Sequence, residues 1–372
     1  MTVTELMSSA GHEQVVFVTD RPTGLRAIIA VHSTALGPSL GGIRFWHYQR
    51  EDDALVDVLR LSQAMSLKAS AAGLDQGGGK AVVLWDEPGR AREPAFLRAL
   101  GRAVDELGGR YIAAEDVGAT PADMDAIAAE TPWVTGVTGP GGSGDPSPVT
   151  AWGVLHAMRA VRRELDGDPS LDGLRIVVQG TGKVGGALVG LLVEAGAKVA
   201  VSDVDAARVE ALAREHGVDP VPTDGVLEEP CDVLAPCALG AVLNPETVPR
   251  LRCRAVCGAA NNQLLDESID DALAARDILY APDFVANAGG IINCAEEFTG
   301  YDRQRALDRT AGIEQTMATV FALAREHRVP PNQAAEEMAR RRITAAGARR
   351  WRPGDPTAWT GGEPLRTLRP GA

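Results

Sequence analysis

The stretch GLRIVVQGTGKVGGALVGLLVEAGAKVAVSD at 173–203 constrains the fold more than any other part of the chain. Residues 175–179 form a β-branched run suited to a buried parallel strand, and Gly180-Thr181-Gly182-Lys183-Val184-Gly185 then turns the chain into a helix. Val189, Leu192 and Val193 give that helix an apolar face. A second strand, 198–202, follows, and Asp203 ends it 23 residues after Gly180. That is where a dinucleotide-binding unit places the acid that accepts hydrogen bonds from the adenosine ribose. Gly180 allows the tight turn, Gly182 lets backbone approach a pyrophosphate, and Gly185 lets the helix pack on the strand. Free N–H groups at the helix start, from Thr181 to Gly185, face the phosphates. A GxGxxG on its own also occurs as an ordinary glycine-rich turn. The register of strand, loop, helix, strand and acid selects the dinucleotide unit. An acid at 203 repels a 2′-phosphate, so the expected cofactor is NAD rather than NADP.

The rest of the chain tells what this unit is attached to. With 372 residues there is material for two domains with separate cores. A composition of 45% hydrophobic and 23% charged residues is that of a soluble globular protein, and a net charge of −13 disfavours nucleic acid and anionic membrane as partners. Small molecules and further copies of the same chain, in a homo-oligomer, are the expected partners. The five cysteines, at 231, 237, 253, 257 and 294, form no CxxC and have no histidine spacing suited to zinc, so no metal site is expected. The first 20 residues lack the basic start and apolar core of a secretory signal, and no apolar stretch reaches the length of a membrane span. A cytoplasmic location is the expectation.

Of 37 basic residues only Lys68, Lys80, Lys183 and Lys198 are lysine. Where arginine stands almost everywhere, a retained lysine can mark a place where a group that can lose its proton is useful, because arginine stays charged; Lys183 and Lys198 are read as chance. Lys68 falls near the end of a helix expected over 52–73, and Lys80 follows the triple glycine 77–79 at the start of a strand over 81–85. Both can converge on one cleft, where two ammonium groups and burial lower each other's pKa and prepare a base. Strands are read at 14–19 and 25–32, and 36–44 is read as a glycine-rich loop. Asp116 stands just past a strand at 111–114, before Thr120 caps the next helix. It suits either catalysis or a capping role.

The stretch GVTGPGGSGDPSP at 136–148 marks a domain boundary and hinge. The expected fold is α/β: an N-terminal α/β substrate-binding domain over 1–145 and a C-terminal Rossmann dinucleotide-binding domain over 146–328, with a cleft between them. A helix in 329–350 returns to the first domain, and 351–372 is a loose tail. Asn261, Asn262 and Asn287 follow strands of the second domain and are candidate ligand contacts. Ile291 and Cys294, three apart on one helix face, line a pocket or fill core.

LGPSLGGIR, MSLKASAAGLDQGGGK, AAEDVGATPADMD, GTGKVGG and APDFVANAGG, in this order, resemble the amino-acid dehydrogenases that act on glutamate, leucine, valine and phenylalanine. The resemblance spans about 11–346. It implies reversible oxidative deamination of an L-amino acid to its 2-oxo acid and ammonia, with NAD taking the hydride from Cα. Lys80 resembles the catalytic lysine that activates water, Lys68 the partner of the substrate carboxylate, and Asp116 the proton shuttle. Thr150 resembles the threonine that holds the nicotinamide amide, and Asn262 and Asn287 resemble asparagines near substrate and cofactor. In the glutamate enzymes the residue before the Gly-Gly-Ile-Arg motif is a lysine that pairs with the substrate side chain, and here it is Leu40, followed by Gly41. Ala113, Ile291 and Cys294 fall where the family's pocket walls lie. An apolar, branched-chain substrate is therefore expected, with phenylalanine or tryptophan as the alternative. A 2-hydroxy-acid dehydrogenase would need a histidine and an arginine facing the carbonyl, and the lysine pair disfavours it. A non-catalytic NAD-sensing protein is disfavoured by the joint presence of Lys68, Lys80 and Asp116.

Overall fold

The computed structural model describes residues 2–86 and 92–347. The tail expected at 351–372 lies outside them. Two compact units result: one takes the described residues up to Asp145, Asn293–Arg303 and those from Ala339 on, and the other takes Pro146–Ile292 and Gln304–Met338. The segment Asn293–Arg303, assigned by the sequence reading to the second domain, groups with unit 1.

Unit 1 opens with α1 (Val3–Ala10), whose start carries a capping box between Thr2 and Glu5. Then come β1 (Gln14–Asp20), β2 (Leu25–Ser33), β3 (Ser39–Trp46), α2 (Glu51–Ala71), β4 (Gly77–Leu84), α3 (Pro94–Asp105), β5 (Tyr111–Glu115) and α4 (Pro121–Ala128). Among the described residues these strands form a sheet in the order β1-β2-β4-β3-β5. β1, β2 and β4 pair antiparallel, and β4, β3 and β5 pair parallel.

The segment 36–44, read from sequence as a loop, contains most of β3, a buried strand inside the sheet. Its two glycines are there because the chain is crowded. A Cβ on Gly41 would collide with the Gly79 carbonyl oxygen, and one on Gly42 would come within 2.5 Å of the Asp116 Cβ. The triple glycine of β4 has a similar cause, since a Cβ on Gly78 would run into the backbone of α2 at Ser66. Small residues thus let α2 lie directly on the strand that carries Lys80. Three acids, Glu51, Asp52 and Asp53, favour the first turn of α2, and Lys68 lies in its last turn, each complementing the helix dipole.

A second feature of unit 1 was not read from the sequence. His12 Nε2 lies 3.0 Å from the Leu59 carbonyl and 2.9 Å from Ser62 Oγ. His32 Nδ1 lies 2.7 Å from Ser66 Oγ, and its Nε2 lies 3.1 Å from the Ala10 carbonyl. The rings meet edge to face with centroids 4.9 Å apart. Burial holds both below the usual histidine range, and for His32, with His12 and Arg340 also disfavouring its charge, the pKa falls to about 4. Both are neutral in the folded chain at pH 7. A folded pKa below the unfolded one means the stability is whole above the unfolded value of 6.5 and is lost as pH falls from there toward about 4. His32 alone contributes on the order of 3 kcal/mol to this loss. Urea unfolding near neutral and mildly acid pH checks it: His32→Gln should flatten the difference between the two by about half that amount or more. An unaltered difference would refute the role.

Unit 2 carries α5 (Ser147–Asp166), β6 (Arg175–Gln179), α6 (Lys183–Glu194), β7 (Lys198–Ser202), α7 (Ala206–His216), β8 (Asp219–Pro220), β9 (Val233–Pro236), β10 (Ala255–Val256), α8 (Ser268–Ala274), β11 (Leu279–Tyr280) and α9 (Asp283–Ala286). The described strands form a parallel sheet in the order β11-β10-β9-β6-β7-β8. The chain leaves β6 toward β7 on one side and returns to β9 on the other, which creates the topological switch point of a doubly wound sheet. After α10 (Gly289–Ala295) and α11 (Arg303–Ala311) come α12 (Ile313–His327) and α13 (Pro331–Ala345). Gly312 separates α11 from α12. The unit boundaries fall between Asp145 and Pro146, within α10, after the first residue of α11 and within α13.

Candidate active site

In unit 1 the parallel register sets Arg44 beside Val82, Leu40 beside Gly78 and Ile112, and Gly42 beside Ala114. Side chains alternate along β5, so Ala114, and Asp116 beyond it, lie on the face of Leu40. Gly79 faces Tyr111 on the other side, which leaves Lys80 on the α2 side with Asp116. There Lys80 Nζ lies 2.8 Å from Asp116 Oδ2, with side chains 5% and 17% exposed. The same carboxylate oxygen accepts from Arg44 Nε at 3.0 Å. Arg44 Nη1 reaches Asp57 Oδ2 of α2 at 3.0 Å, and Asp57 also takes the Tyr48 hydroxyl at 2.7 Å and Arg60 at 3.1 Å.

These contacts divide the protons. Burial pushes the Lys80 amine down; Asp116 opposes that and Arg44 adds to it, with a net lowering. For Asp116, burial pushes the carboxyl up, but the charges of Lys80 and Arg44 outweigh it and bring it to about 2. The pair therefore holds a permanent anion beside an amine that is easier to deprotonate than an ordinary lysine. Such an amine can serve as a base at lower pH than an ordinary lysine.

Leu40 is buried on this face. Met65 was not singled out from sequence: its Cγ would stand 3.4 Å from a Cβ on Gly41, one turn of α2 before the half-buried Lys68. Ala113 is buried but shares the Tyr111 face, with its N–H on the Trp133 carbonyl and its own carbonyl accepting from the Thr135 N–H at 2.8 Å. The residue on the Lys80 face is its neighbour Ala114. Cys294 belongs to unit 1, and burial pushes its thiol up to about 12 beside the Thr135 and Ser143 hydroxyls, so it is not poised as a nucleophile. Glu297 anchors the neighbouring loop, accepting from the Gly136 and Ser143 N–H groups at 2.7 Å each.

Unit 2 holds the other sequence-predicted residues. A Cβ on Gly180, whose φ is +97°, would crowd Ala238 at 2.8 Å, and one on Gly185 would collide with the Gly180 carbonyl. At Gly182 a Cβ meets nothing within 4 Å, so that glycine keeps the approach to the helix start clear. Thr181 is buried, while Lys183 is exposed and Val184 half-buried at the start of α6. Asp203 Oδ2 accepts from the Thr181 N–H at 2.6 Å and from its hydroxyl at 3.0 Å, and Oδ1 accepts from the Asp205 N–H at 2.9 Å. The acid thus braces the glycine loop. Thr150 Oγ1 donates to the Pro146 carbonyl at 2.9 Å and lies 2.9 Å from where a Gly290 Cβ would stand. Asn287 Nδ2 donates to the Ala259 carbonyl at 3.1 Å and to Asn261 Oδ1 at 2.9 Å, while its Oδ1 is buried without a partner. Asn262 is exposed with φ +53°, and Ile291 is buried in α10. A clear approach at Gly182 and an unpaired acceptor at Asn287 fit a nucleotide cofactor, whose phosphates and amide group supply what these atoms lack.

A family model described as Glu/Leu/Phe/Val dehydrogenase, dimerisation domain, matches residues 12–133. A second, described as Glutamate/Leucine/Phenylalanine/Valine dehydrogenase, matches 141–211 and 205–350. The chain belongs to the Glu/Leu/Phe/Val dehydrogenase family. It is 46% identical over 344 residues to a leucine dehydrogenase of Thermoactinomyces intermedius, covering 92% of this chain and 94% of the relative. It is 48% identical over 340 residues to a valine dehydrogenase of Streptomyces virginiae, covering 90% and 95%. A crystal structure of L-tryptophan dehydrogenase from Nostoc punctiforme matches with a TM-score of 0.81 at 39% identity, covering 92% of this chain and 99% of that one. As a member of this Glu/Leu/Phe/Val family the chain is an amino-acid dehydrogenase with a Rossmann-type domain for a nucleotide cofactor. No described helix is long and apolar enough to cross a membrane.

Proposed function

We propose that this enzyme catalyses the NAD-dependent, reversible oxidative deamination of a branched-chain L-amino acid to its 2-oxo acid and ammonia. The observation that carries the reading is the buried Lys80–Asp116 pair on the same sheet face as Leu40. When bound, the dinucleotide accepts the hydride from the substrate Cα. Lys68 pairs with the substrate carboxylate and orients Cα. Neutral Lys80 draws a proton from the water that adds to the imino carbon. Asp116, ionised at rest and too weak a base to replace Lys80, is only a transient relay for protons leaving the amino group. Because the Lys80 amine is the group that must be neutral, turnover rises as pH rises through its lowered pKa.

Support for NAD over NADP comes from Asp203: a 2′-phosphate would meet its carboxylate, and the nearby Arg208 is engaged by Asp205 at 3.0 Å. Leucine at 40 supports an apolar substrate, since a side-chain carboxylate beside it would be buried unpaired. Similarity to leucine and valine dehydrogenases supports the branched-chain class, and similarity to L-tryptophan dehydrogenase makes the aromatic class the second reading. A homo-oligomer, built through the segment matched by the family's dimerisation domain, and a cytoplasmic setting belong to the same proposal.

The test is dinucleotide reduction at alkaline pH with L-leucine, L-valine, L-isoleucine, L-phenylalanine, L-tryptophan and L-glutamate, each with NAD and with NADP. Branched-chain substrates with NAD are expected to lead. A lead for the aromatic pair would replace the substrate assignment, and silence on all six would overturn the enzyme reading.

A further inference from the structure

Nothing in the spacing of charged residues singled out Arg44, one of 33 arginines. It nevertheless stands between the reacting pair and the helix behind it. We propose that Arg44 is a positioning residue for the reaction: one arm of its guanidinium holds the Asp116 carboxylate against Lys80, and the other ties that carboxylate to Asp57 on α2.

The geometry is that of a two-armed clamp. Nε donates to Asp116 Oδ2 and Nη1 to Asp57 Oδ2, both at 3.0 Å, and the side chain is only 20% exposed. Two charge-assisted bonds from one planar group fix direction as well as distance, which a lysine at this position could not do. The clamp is itself held: Asp57 also accepts from Tyr48 and from Arg60, so the Arg44 end on α2 has little freedom. Gly42 completes the arrangement, since any side chain there would displace Asp116.

The groups that act on the pair come from each neighbouring element. Arg44 of β3 and Lys80 of β4 contact Asp116 directly, Asp57 and Arg60 act from α2, Tyr48 acts through Asp57, and Tyr111 lies beneath on β5. Arg44 acts on both partners in the same sense: its positive charge strengthens the Asp116 acid and disfavours the charged form of Lys80. Removing it should therefore raise both pKa values together. A residue that merely fills space would move neither.

This inference rests on the amino-acid dehydrogenase reading, and its test has a readout independent of turnover. In the full-length chain, acetylation of Lys80 by acetic anhydride is followed against pH by peptide mass spectrometry. Arg44→Met should move the Lys80 labelling midpoint up by about one unit, whereas Asp57→Asn, which removes a charge that favours the protonated amine, should move it down by less. In the same proteins kcat for L-leucine should fall about 10- to 100-fold at fixed pH with KM changed less than threefold. An acid limb from Asp116, absent from the wild type above about pH 5, should enter the kcat/KM profile of Arg44→Met. Arg44→Lys retains a cation and should recover the labelling midpoint but not the full kcat. If Arg44→Met fails to fold, Arg44→Gln, which also removes the guanidinium charge, carries the same test. An unmoved midpoint in a folded variant would overturn the assignment, whereas a shifted midpoint in an enzyme silent on every amino acid would leave Arg44 in place and remove the dehydrogenase reading instead.

Discussion

Lys80→Ala is expected to lower turnover of the preferred amino acid by about 10³-fold or more while leaving dinucleotide affinity within a factor of two. The loss follows from chemistry that no neighbour can replace. Lys80 is the buried amine whose pKa is lowered, and its partner Asp116, held near 2, is too weak a base to take its place. The fold should survive the change because Asp116 keeps its bond to Arg44 and is not left as an unpaired buried charge. Cofactor affinity should survive because Gly180, Gly182, Asp203 and Asn287 belong to the other unit. Lys80→Arg separates the two roles a lysine can have here. Arginine restores a cation beside Asp116 but cannot give up its proton near pH 9, so it should be almost as inactive as alanine. Steady-state kinetics with L-leucine and titration of reduced-dinucleotide fluorescence measure both effects. Recovery of activity in Lys80→Arg would show that the charge matters and the proton does not.

The parts of this molecule that could be read from its sequence are those with a short-range cause. The unit from Arg175 to Asp203 is local in every respect: strand, glycine turn, helix and acid follow within one stretch, and the structure places them in the central strands of the sheet. Lys80 and Asp116 were legible for a different reason, the scarcity of lysine and the position of an acid just past a strand. β3 was not legible, because its Gly-Gly pair signals a loop unless the close approach of Gly79 and Asp116 is already known. Arg44 was hidden for the same reason, since its role depends on β3 lying in register with β4 so that it can reach Asp57 on α2. His12 and His32 are brought side by side by the β1–β2 pairing, which sets Gln14 opposite Val31, but their bonds to Leu59, Ser62 and Ser66 exist only because α2 packs against that hairpin. Ala113 against Ala114 is a question of strand phase, where a shift of one residue reverses the face. All of these are consequences of non-local packing.

Strand phase also makes Leu40 the most informative position for substrate choice. Leu40→Lys is expected to lower kcat/KM for L-leucine by about 10²- to 10³-fold and to make L-glutamate a measurable substrate. Leu40 is 1% exposed and lies on the face that carries Lys80 and Asp116. A further cation on the face of Arg44 and Lys80, with no carboxylate assigned to it, is buried unpaired when the substrate side chain is a hydrocarbon. A side-chain carboxylate would supply the missing partner, so the same substitution penalises leucine and favours glutamate. The penalty appears in the free protein as well, as a lower melting temperature or a depressed amine pKa, and glutamate or its 2-oxo acid should recover part of it. Leu40→Met, which keeps the volume and adds no charge, should alter the leucine rate by less than tenfold and gain nothing on glutamate. An unchanged ranking of leucine over glutamate in a folded Leu40→Lys protein would place the substrate side chain elsewhere. Bulk at positions such as Met65 or Ala114, rather than charge at 40, would then set the preference.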